Sequence, residues 1–137
     1  MSATDYINKL NEEQKAAALA TEGPVLVLAG AGSGKTRVLT SRIAHLVEDL
    51  GVKPRNILAI TFTNKAANEM KERLSKMIGE EAAQNMWVST IHSMCVRILR
   101  ATVDRIPGYN KNFTIYSEVD KERVLKRIIT DLKLEGD

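Results

Sequence analysis

The sequence is poor in the residues that build covalent or metal-held frameworks. Its 137 residues include a single cysteine, Cys95, which excludes an internal disulfide framework and any cysteine-cluster zinc site. The two histidines, His45 and His92, stand 47 residues apart, so no metal site is expected from them. Long apolar runs are missing as well. The longest, Pro24 to Ala29, falls far short of a membrane span. The first twenty residues carry Asp5, Glu12 and Glu13 and no apolar block, so no secretory leader is expected and a reducing, cytoplasmic setting fits. There is no internal repeat and no low-complexity linker. What remains is ordinary: 44% apolar and 27% charged residues, a globular composition rather than that of a disordered tail or a collagen-like repeat. The length suits one compact domain and not two.

The net charge of +3 permits a nucleic-acid partner without demanding one. Its distribution says more. Residues 52–78 hold six basic side chains (Lys53, Arg55, Lys65, Lys71, Arg73, Lys76) against Glu69 and Glu72, a net +4. Residues 91–111 hold Arg97, Arg100, Arg105 and Lys111 against Asp104, a net +3, while residues 1–22 come to −2. Two basic segments, each starting just after a short strand-like run, suit a polyanion surface. The plainer alternative is a set of solvated helix faces laced by pairs such as Glu69–Arg73 and Glu72–Lys76 at i,i+4.

Along the chain, short apolar runs alternate with amphipathic segments. Val25 to Ala29 and Ile57 to Phe62 read as strands buried on both faces, and Trp87 to Thr90 and Phe113 to Tyr116 as two more. Helices are expected between them. One shows Val38, Leu39, Ile43, Leu46, Val47 and Leu50 on one face, with Gly51 as its stop. A second, from about Asn64 to Ile78, has Ala67, Met70, Leu74 and Ile78 as its stripe and Gly79 at its end. A third carries Ile91, Met94, Cys95, Ile98, Leu99, Val103 and Ile106 and breaks at Pro107-Gly108. The last, from about Glu118 to Leu132, is expected to bury Val124, Leu125, Ile128 and Leu132. Cys95 reads as core on this pattern. Doubly apolar strands joined by helices mean an α/β fold, a parallel sheet with helices on both faces. Right-handed crossovers put the strands' C-terminal ends, and with them the ligand site, on one edge. The chain stops after a helix with no closing strand, so the domain is expected to be incomplete.

The sharpest local motif is AGAGSGKT, Ala29 to Thr36. It fits the phosphate-loop pattern of P-loop NTPases, with Ala29 at the position usually held by glycine and Ala31 and Ser33 between the glycines. Gly30, Gly32 and Gly34 let the backbone curl until its N–H groups converge on an anion. The helix that follows adds its free N–H groups and dipole. Lys35 is positioned to meet β and γ phosphates, and the Thr36 hydroxyl to meet Mg²⁺. The alternative is a glycine-rich turn without a ligand.

Other motifs are ambiguous taken singly. Asn11 and Gln14 are spaced for a capping box. His92, in STIHS, sits near a helix start that Ser89 or Thr90 could cap. Phe62, ending an apolar strand, is as plausible in packing as in binding. Taken in order, however, LNEEQKAA, AGAGSGKTRVLTSRI, ILAITFTNKAANEMKERL, VSTIHSMCVRILR and FTIYSEVD strongly resemble the N-terminal part of the UvrD/Rep/PcrA-type superfamily 1 DNA helicases, most of all the PcrA branch. The resemblance runs from about Leu10 to Leu134. It implies an ATP-driven motor that moves 3′ to 5′ on single-stranded DNA and opens duplex at junctions. Residues 1–137 then form the N-terminal part of the first of two RecA-like domains. The resemblance further implies that Gln14 reads adenine and that Arg37 packs on the nucleobase. Thr61, Phe62, Thr63, Asn64 and Lys65 match a segment lying along the single strand, where Phe62 receives or stacks a base. Thr90 and His92 match the next strand-contacting motif. Ile91 departs from the pattern, since many relatives have Phe there, and no stacking is expected from it. Roles in DNA repair and plasmid replication are implied in the same way.

Hydrolysis needs acidic residues for Mg²⁺ and the attacking water, and an arginine facing the transition state. In the family these come from a DExx box and from the second motor domain. No Asp-Glu pair follows an apolar strand here. Glu118 comes nearest, but Ser117-x-x-Asp120 reads as a helix cap. The chain alone is therefore expected to be inactive as an ATPase, with the other helicase domains as its partners. Two competing readings are a small P-loop kinase or nucleotide switch, and a non-enzymatic DNA-binding module whose loop holds backbone phosphate.

Overall fold

A computed structural model describes residues 3–134 of the chain. They divide into two compact units, residues 3–96 and 97–134. Among the described residues there are seven α-helices and a two-stranded parallel sheet.

The first unit holds α1 (Ala3–Asn8), α2 (Glu12–Leu19), α3 (Lys35–Ala44), β1 (Leu58–Thr61), α4 (Asn64–Ile78), α5 (Glu80–Gln84), β2 (Trp87–Thr90) and the start of α6 (Ile91–Thr102). β1 and β2 run parallel in the register Leu58↔Trp87 to Thr61↔Thr90. α4 follows the expected boundaries. Thr63 Oγ1 accepts the Ala66 N–H at 3.1 Å, and Gly79, at φ +87°, ends the helix. Its stripe does the packing: Ala67, Met70 and Leu74 join Ile43, Ala59, Ala83, Met86 and Val88 in the main core. A second cluster gathers Ile7, Leu10, Ala18 and Val38, and Arg42 donates from Nη1 to the Ala17 carbonyl at 2.9 Å, tying α3 to α2. α3 does not run on as α-helix to Gly51. It loosens into one π-helical turn over His45–Asp49, and Gly51 takes φ +66° after it.

Several expectations fail, and for one reason. The run Val25 to Ala29 forms no strand, because a strand is defined by its pairing and no described segment pairs with it. It still alternates: Val25 and Val27 turn towards a cavity of about 300 Å³ beside Ala17, Val38 and Leu39, while Leu26 and Leu28 are 84% and 86% exposed. The sheet is packed by α4 through Ala59 and Val88, but Leu58 and Ile60 on its other face stay exposed. Two-sided cover is thus not present among the described residues. Phe113 to Tyr116 likewise has no strand partner.

The second unit contains the end of α6, a short 3₁₀ turn (Val103–Arg105) and α7 (Glu118–Asp131). The apolar stripes of these helices are correctly spaced but mostly unburied. Ile98 and Leu99 are exposed, as are Val124, Leu125, Ile128 and Leu132, which were expected inside. Cys95, expected in the core, is exposed too. Periodicity reports which side chains favour burial, and burial also needs a second surface. α7 opens with the expected cap: Ser117 Oγ accepts the Asp120 N–H at 3.2 Å, and Asp120 accepts the Ser117 N–H at 3.0 Å. The Ser117 hydroxyl also donates to the Asp120 carboxylate at 2.6 Å, and this bond first, then that from the Ser117 N–H, holds the Asp120 carboxyl below its usual pKa. Glu118 pairs with Lys121 at 2.9 Å and belongs to the helix start.

Candidate functional site

The first half of the site is built around the loop before α3. Ser33 N–H reaches the Gly30 carbonyl at 3.4 Å, closing a turn, and Gly32 and Gly34 take φ of +75° and +84°. Side chains with a Cβ avoid that left-handed region. Gly34 is also the N-cap of α3, and no side chain caps the helix there. The first-turn N–H groups of α3 therefore lack an intrahelical acceptor, the arrangement that receives anions. Ala29, Gly30, Ala31, Gly32 and Ser33 are all exposed. The loop is neither stretched out nor covered; it borders an open cleft of about 510 Å³ lined by Gln14, residues 32–37 and Arg73.

Lys35 projects over the loop, its Nζ donating to the carbonyls of Gly30 at 2.6 Å and Ala29 at 3.1 Å. A phosphate oxygen is a charged and stronger acceptor than either carbonyl. The Thr36 hydroxyl is exposed in the same cleft. It fits Mg²⁺ as a single neutral oxygen ligand. Among the described residues no carboxylate lines the cleft, so phosphate and water would complete the shell. Among the described residues no three His, Cys, Asp or Glu side chains cluster to hold a metal.

Gln14 is held from two sides. Asn11 Oδ1 accepts the Gln14 N–H at 2.8 Å and Gln14 Oε1 accepts the Asn11 N–H at 3.1 Å, a complete capping box. Gln14 Nε2 also donates to the Ser33 carbonyl at 2.9 Å. The amide is thereby fixed against the glycine-rich loop, with one N–H and one lone pair left over. Gly34 makes room for it: a Cβ there would meet Gln14 Nε2 at 2.9 Å. Arg37 is exposed at the cleft.

The second half lies at the C-terminal ends of β1 and β2. Their parallel register sets Thr61 beside Thr90, so the segments that follow emerge together. Phe62 is 101% exposed. Among the described residues it packs against nothing. Thr61 Oγ1 donates to the Thr63 carbonyl at 3.0 Å. Asn64 and Lys65 are exposed in the first turn of α4, as is His92 in that of α6. Thr90 differs: it is buried, and its hydroxyl takes the Ser93 N–H at 3.2 Å and donates to Ser93 Oγ at 3.0 Å. As folded it shapes the start of α6. Ser93 Oγ in turn donates to Asn64 Oδ1 at 3.5 Å, joining the two motifs.

Sequence reasoning missed Ser93 and Arg73. Ser93 had a signal, three residues after a capping threonine. Arg73 had none beyond lying off the apolar stripe of α4, and its expected pairing with Glu69 does not form, nor does that of Lys76 with Glu72.

Comparison with known proteins adds the decisive observation: the UvrD/REP helicase N-terminal domain matches residues 10–137. The chain belongs to this family. Among UvrD/REP relatives it is 54% identical over 130 residues to the ATP-dependent DNA helicase PcrA of Staphylococcus aureus, and 58% identical over 130 residues to that of Staphylococcus epidermidis. Each match covers 95% of this chain and 18% of the relative. The helicase of the same name from Leuconostoc citreum is 54% identical over 135 residues, covering 98% and 18%. The chain thus spans about a fifth of the length of the curated relatives it matches. Among the described residues no helix is long and apolar enough to cross a membrane.

Proposed function

We propose that this chain is the N-terminal part of the first RecA-like, P-loop NTPase domain of a PcrA-like motor, an ATP-dependent helicase that translocates 3′ to 5′ on single-stranded DNA and opens duplex at junctions. The observation that carries this reading is the 2.9 Å bond from Gln14 Nε2 to the Ser33 carbonyl. It joins the residue matched to adenine reading with the loop matched to phosphate binding, in one open cleft. Support also comes from the wholly exposed Phe62, which suits base stacking.

In this reading the amides of Gly32 to Thr36 receive the β and γ phosphates, and Lys35 leaves its two carbonyl partners to neutralise them. Thr36 gives its hydroxyl to Mg²⁺, which supplies charge neutralisation when bound. Gln14 reads the adenine edge and Arg37 packs on its face. Phe62 stacks a base, while Thr61, Thr63, Asn64, Lys65 and His92 hold the strand beside it, and Thr90 sets the geometry of that motif. The γ-phosphoryl bond is broken by attack of water. The carboxylates and facing arginine for that step belong to other segments and domains of the parent, so this chain binds without turning over. Repair or replication in the cytoplasm is the setting this reading implies.

The test is a pair of substitutions read on two ligands. Lys35→Ala should abolish ATP binding in calorimetry and leave affinity for an oligo-dT strand within about twofold. Phe62→Ala should do the reverse. Equal loss of both ligands from either change sinks the two-site reading, and DNA-stimulated phosphate release by the 137-residue chain sinks the claim that it is inactive alone.

A further inference from the structure

The N-terminal edge of the sheet carries a polar cleft of about 380 Å³, lined by Lys53, Pro54, Arg55 and Asn85. Lys53 to Arg55 precede β1 and Asn85 precedes β2. Because the two strands run parallel, both stretches meet where the strands start. Phe62 leaves from the opposite end of β1, three strand steps or about 10 Å further on. Both walls of the cleft are fixed. In the single 3₁₀ turn Pro54–Asn56, the Asn56 N–H donates to the Lys53 carbonyl at 2.9 Å and the Ile57 N–H to the Pro54 carbonyl at 3.0 Å. The Asn85 N–H donates to the Glu81 carbonyl at 3.1 Å, and the Trp87 N–H crosses to the Ile57 carbonyl at 3.2 Å, joining one wall to the other. Behind them Ala83 and Met86 are part of the main core and Ile57 packs on it.

Lys53, Arg55 and Asn85 are exposed. Among the described residues neither cation forms an ion pair, the Asn85 amide has no hydrogen-bond partner, and no carboxylate lines the cleft. Glu80 and Glu81 stand just before Asn85 in α5, but Glu80 accepts from Gln84 Nε2 at 2.8 Å and neither lines the cleft. Two cations and an amide are thus left without partners on a rigid frame. Arginine grips a carboxylate in a planar, two-pronged way, lysine meets one as a point charge, and the asparagine amide both donates to and accepts from a peptide main chain. Pro54 sets the backbone between the cations, so their spacing is held before a ligand arrives. A nucleic-acid strand would bring bases as well as phosphates, and no aromatic ring lines this cleft to stack them. An acidic peptide needs only the groups that are there.

We propose that this cleft is the docking site for an acidic segment of a partner protein, with Lys53 and Arg55 each taking a carboxylate and Asn85 bonding the main chain between them. The site lies away from the ends of β1 and β2 where Phe62 stands, so the partner and a single strand are held together rather than in exchange. Exposed charge pairs are individually weak and screened by salt, which suits a partner that comes and goes. The attraction of opposite charges quickens its arrival.

The experiment uses the 137-residue chain at low salt and a labelled peptide of about ten residues with Glu at alternate positions, followed by anisotropy beside its Gln counterpart. The Glu peptide should bind at least about tenfold tighter than the Gln peptide, and saturating oligo-dT should change its affinity less than about twofold. Lys53→Ala and Arg55→Ala should each weaken it about three- to fivefold. Asn85→Asp, which sets a carboxylate in the cleft, should cost about tenfold. Lys76→Ala removes an exposed cation outside the cleft and should change the affinity less than about twofold. Arg55→Lys keeps the charge and loses the fork; it should cost about twofold, and with Asn85→Asp it carries the test should an alanine variant unfold. A Gln peptide that binds as tightly as the Glu peptide overturns the proposal. Equal losses from Arg55→Ala and Lys76→Ala reduce the effect to net charge and overturn it too. If oligo-dT displaces the peptide and itself loses as much affinity in Lys53→Ala and Arg55→Ala, the cleft serves nucleic acid and the protein partner is wrong.

Discussion

Gly34→Ala is the most exacting perturbation of the phosphate loop, because two costs fall on one methyl group. Gly34 has φ +84°, and holding alanine in that left-handed region costs roughly 1–2 kcal/mol. The new Cβ would also stand 2.9 Å from Gln14 Nε2, so the amide must swing away and give up its bond to the Ser33 carbonyl. An exposed neutral hydrogen bond of this kind is worth about 0.5 kcal/mol, the low end of its range. Together the change costs about 2 kcal/mol, or roughly 30-fold in nucleotide affinity if the loop must keep its shape to bind. The neighbouring glycines grade the argument. Gly32, at φ +75° with open space around it, carries the conformational cost alone, so Gly32→Ala should lose about tenfold. Gly30 has neither a positive φ nor a neighbour within 4 Å, and Gly30→Ala should stay within about twofold. Calorimetry with ATP and Mg²⁺ on the three variants, with thermal unfolding to catch strain absorbed by the fold, gives the order directly. If Gly34→Ala binds and melts like Gly30→Ala, the loop geometry described above is not the binding geometry.

Other consequences are simpler to measure. Phe62→Ala should weaken oligo-dT by about 1–3 kcal/mol in anisotropy, as loss of one stacked base does, yet leave the melting temperature unchanged because the ring packs on nothing. Leu74, wholly buried at the centre of the main core, should cost about 2–5 kcal/mol when cut to alanine, read as a lower denaturant midpoint. The Asp120 carboxyl, held below its ordinary pKa of 3.8 by Ser117, stabilises the start of α7 above that ordinary value and loses the contribution as pH falls through the depressed one. Ser117→Ala should return the Asp120 titration, followed by NMR, towards 3.8; an unmoved titration would remove the cap as its cause.

The parts of this protein that were legible in its residues are those governed by neighbours in sequence. The caps at Asn11 and Ser117 follow from side chains that reach an N–H three positions on, and the stop at Gly79 from a glycine's freedom at positive φ. The stripe of α4 follows from a period of 3.6, and the curl of the loop from glycines at Gly32 and Gly34. Gln14 was harder, since its spacing supported capping and its resemblance supported ligand binding; the fold uses one amide for the cap and the loop. Thr90 was matched to a strand-contacting motif, and its hydroxyl is engaged by Ser93 at the start of α6.

Local pattern thus determined the curl of the glycine-rich loop, the helix that follows it and the β1–α4 unit, and the resemblance of the ordered motifs gave the family. Tertiary structure alone decided which apolar surfaces are covered. Val25 to Ala29, the outer face of β1, α6 and α7 all carry residues with a strong preference for burial, but a strand's hydrogen bonds and a helix's packing come from a second segment, and periodicity within the first cannot reveal whether it is there. The same holds for Arg73. Its position off the core stripe was written in the sequence, whereas its place in the wall of the cleft beside the glycine-rich loop depends on how α4 lies beside α3, which only the packing of Ile43 with Met70 and Leu74 in one core could fix.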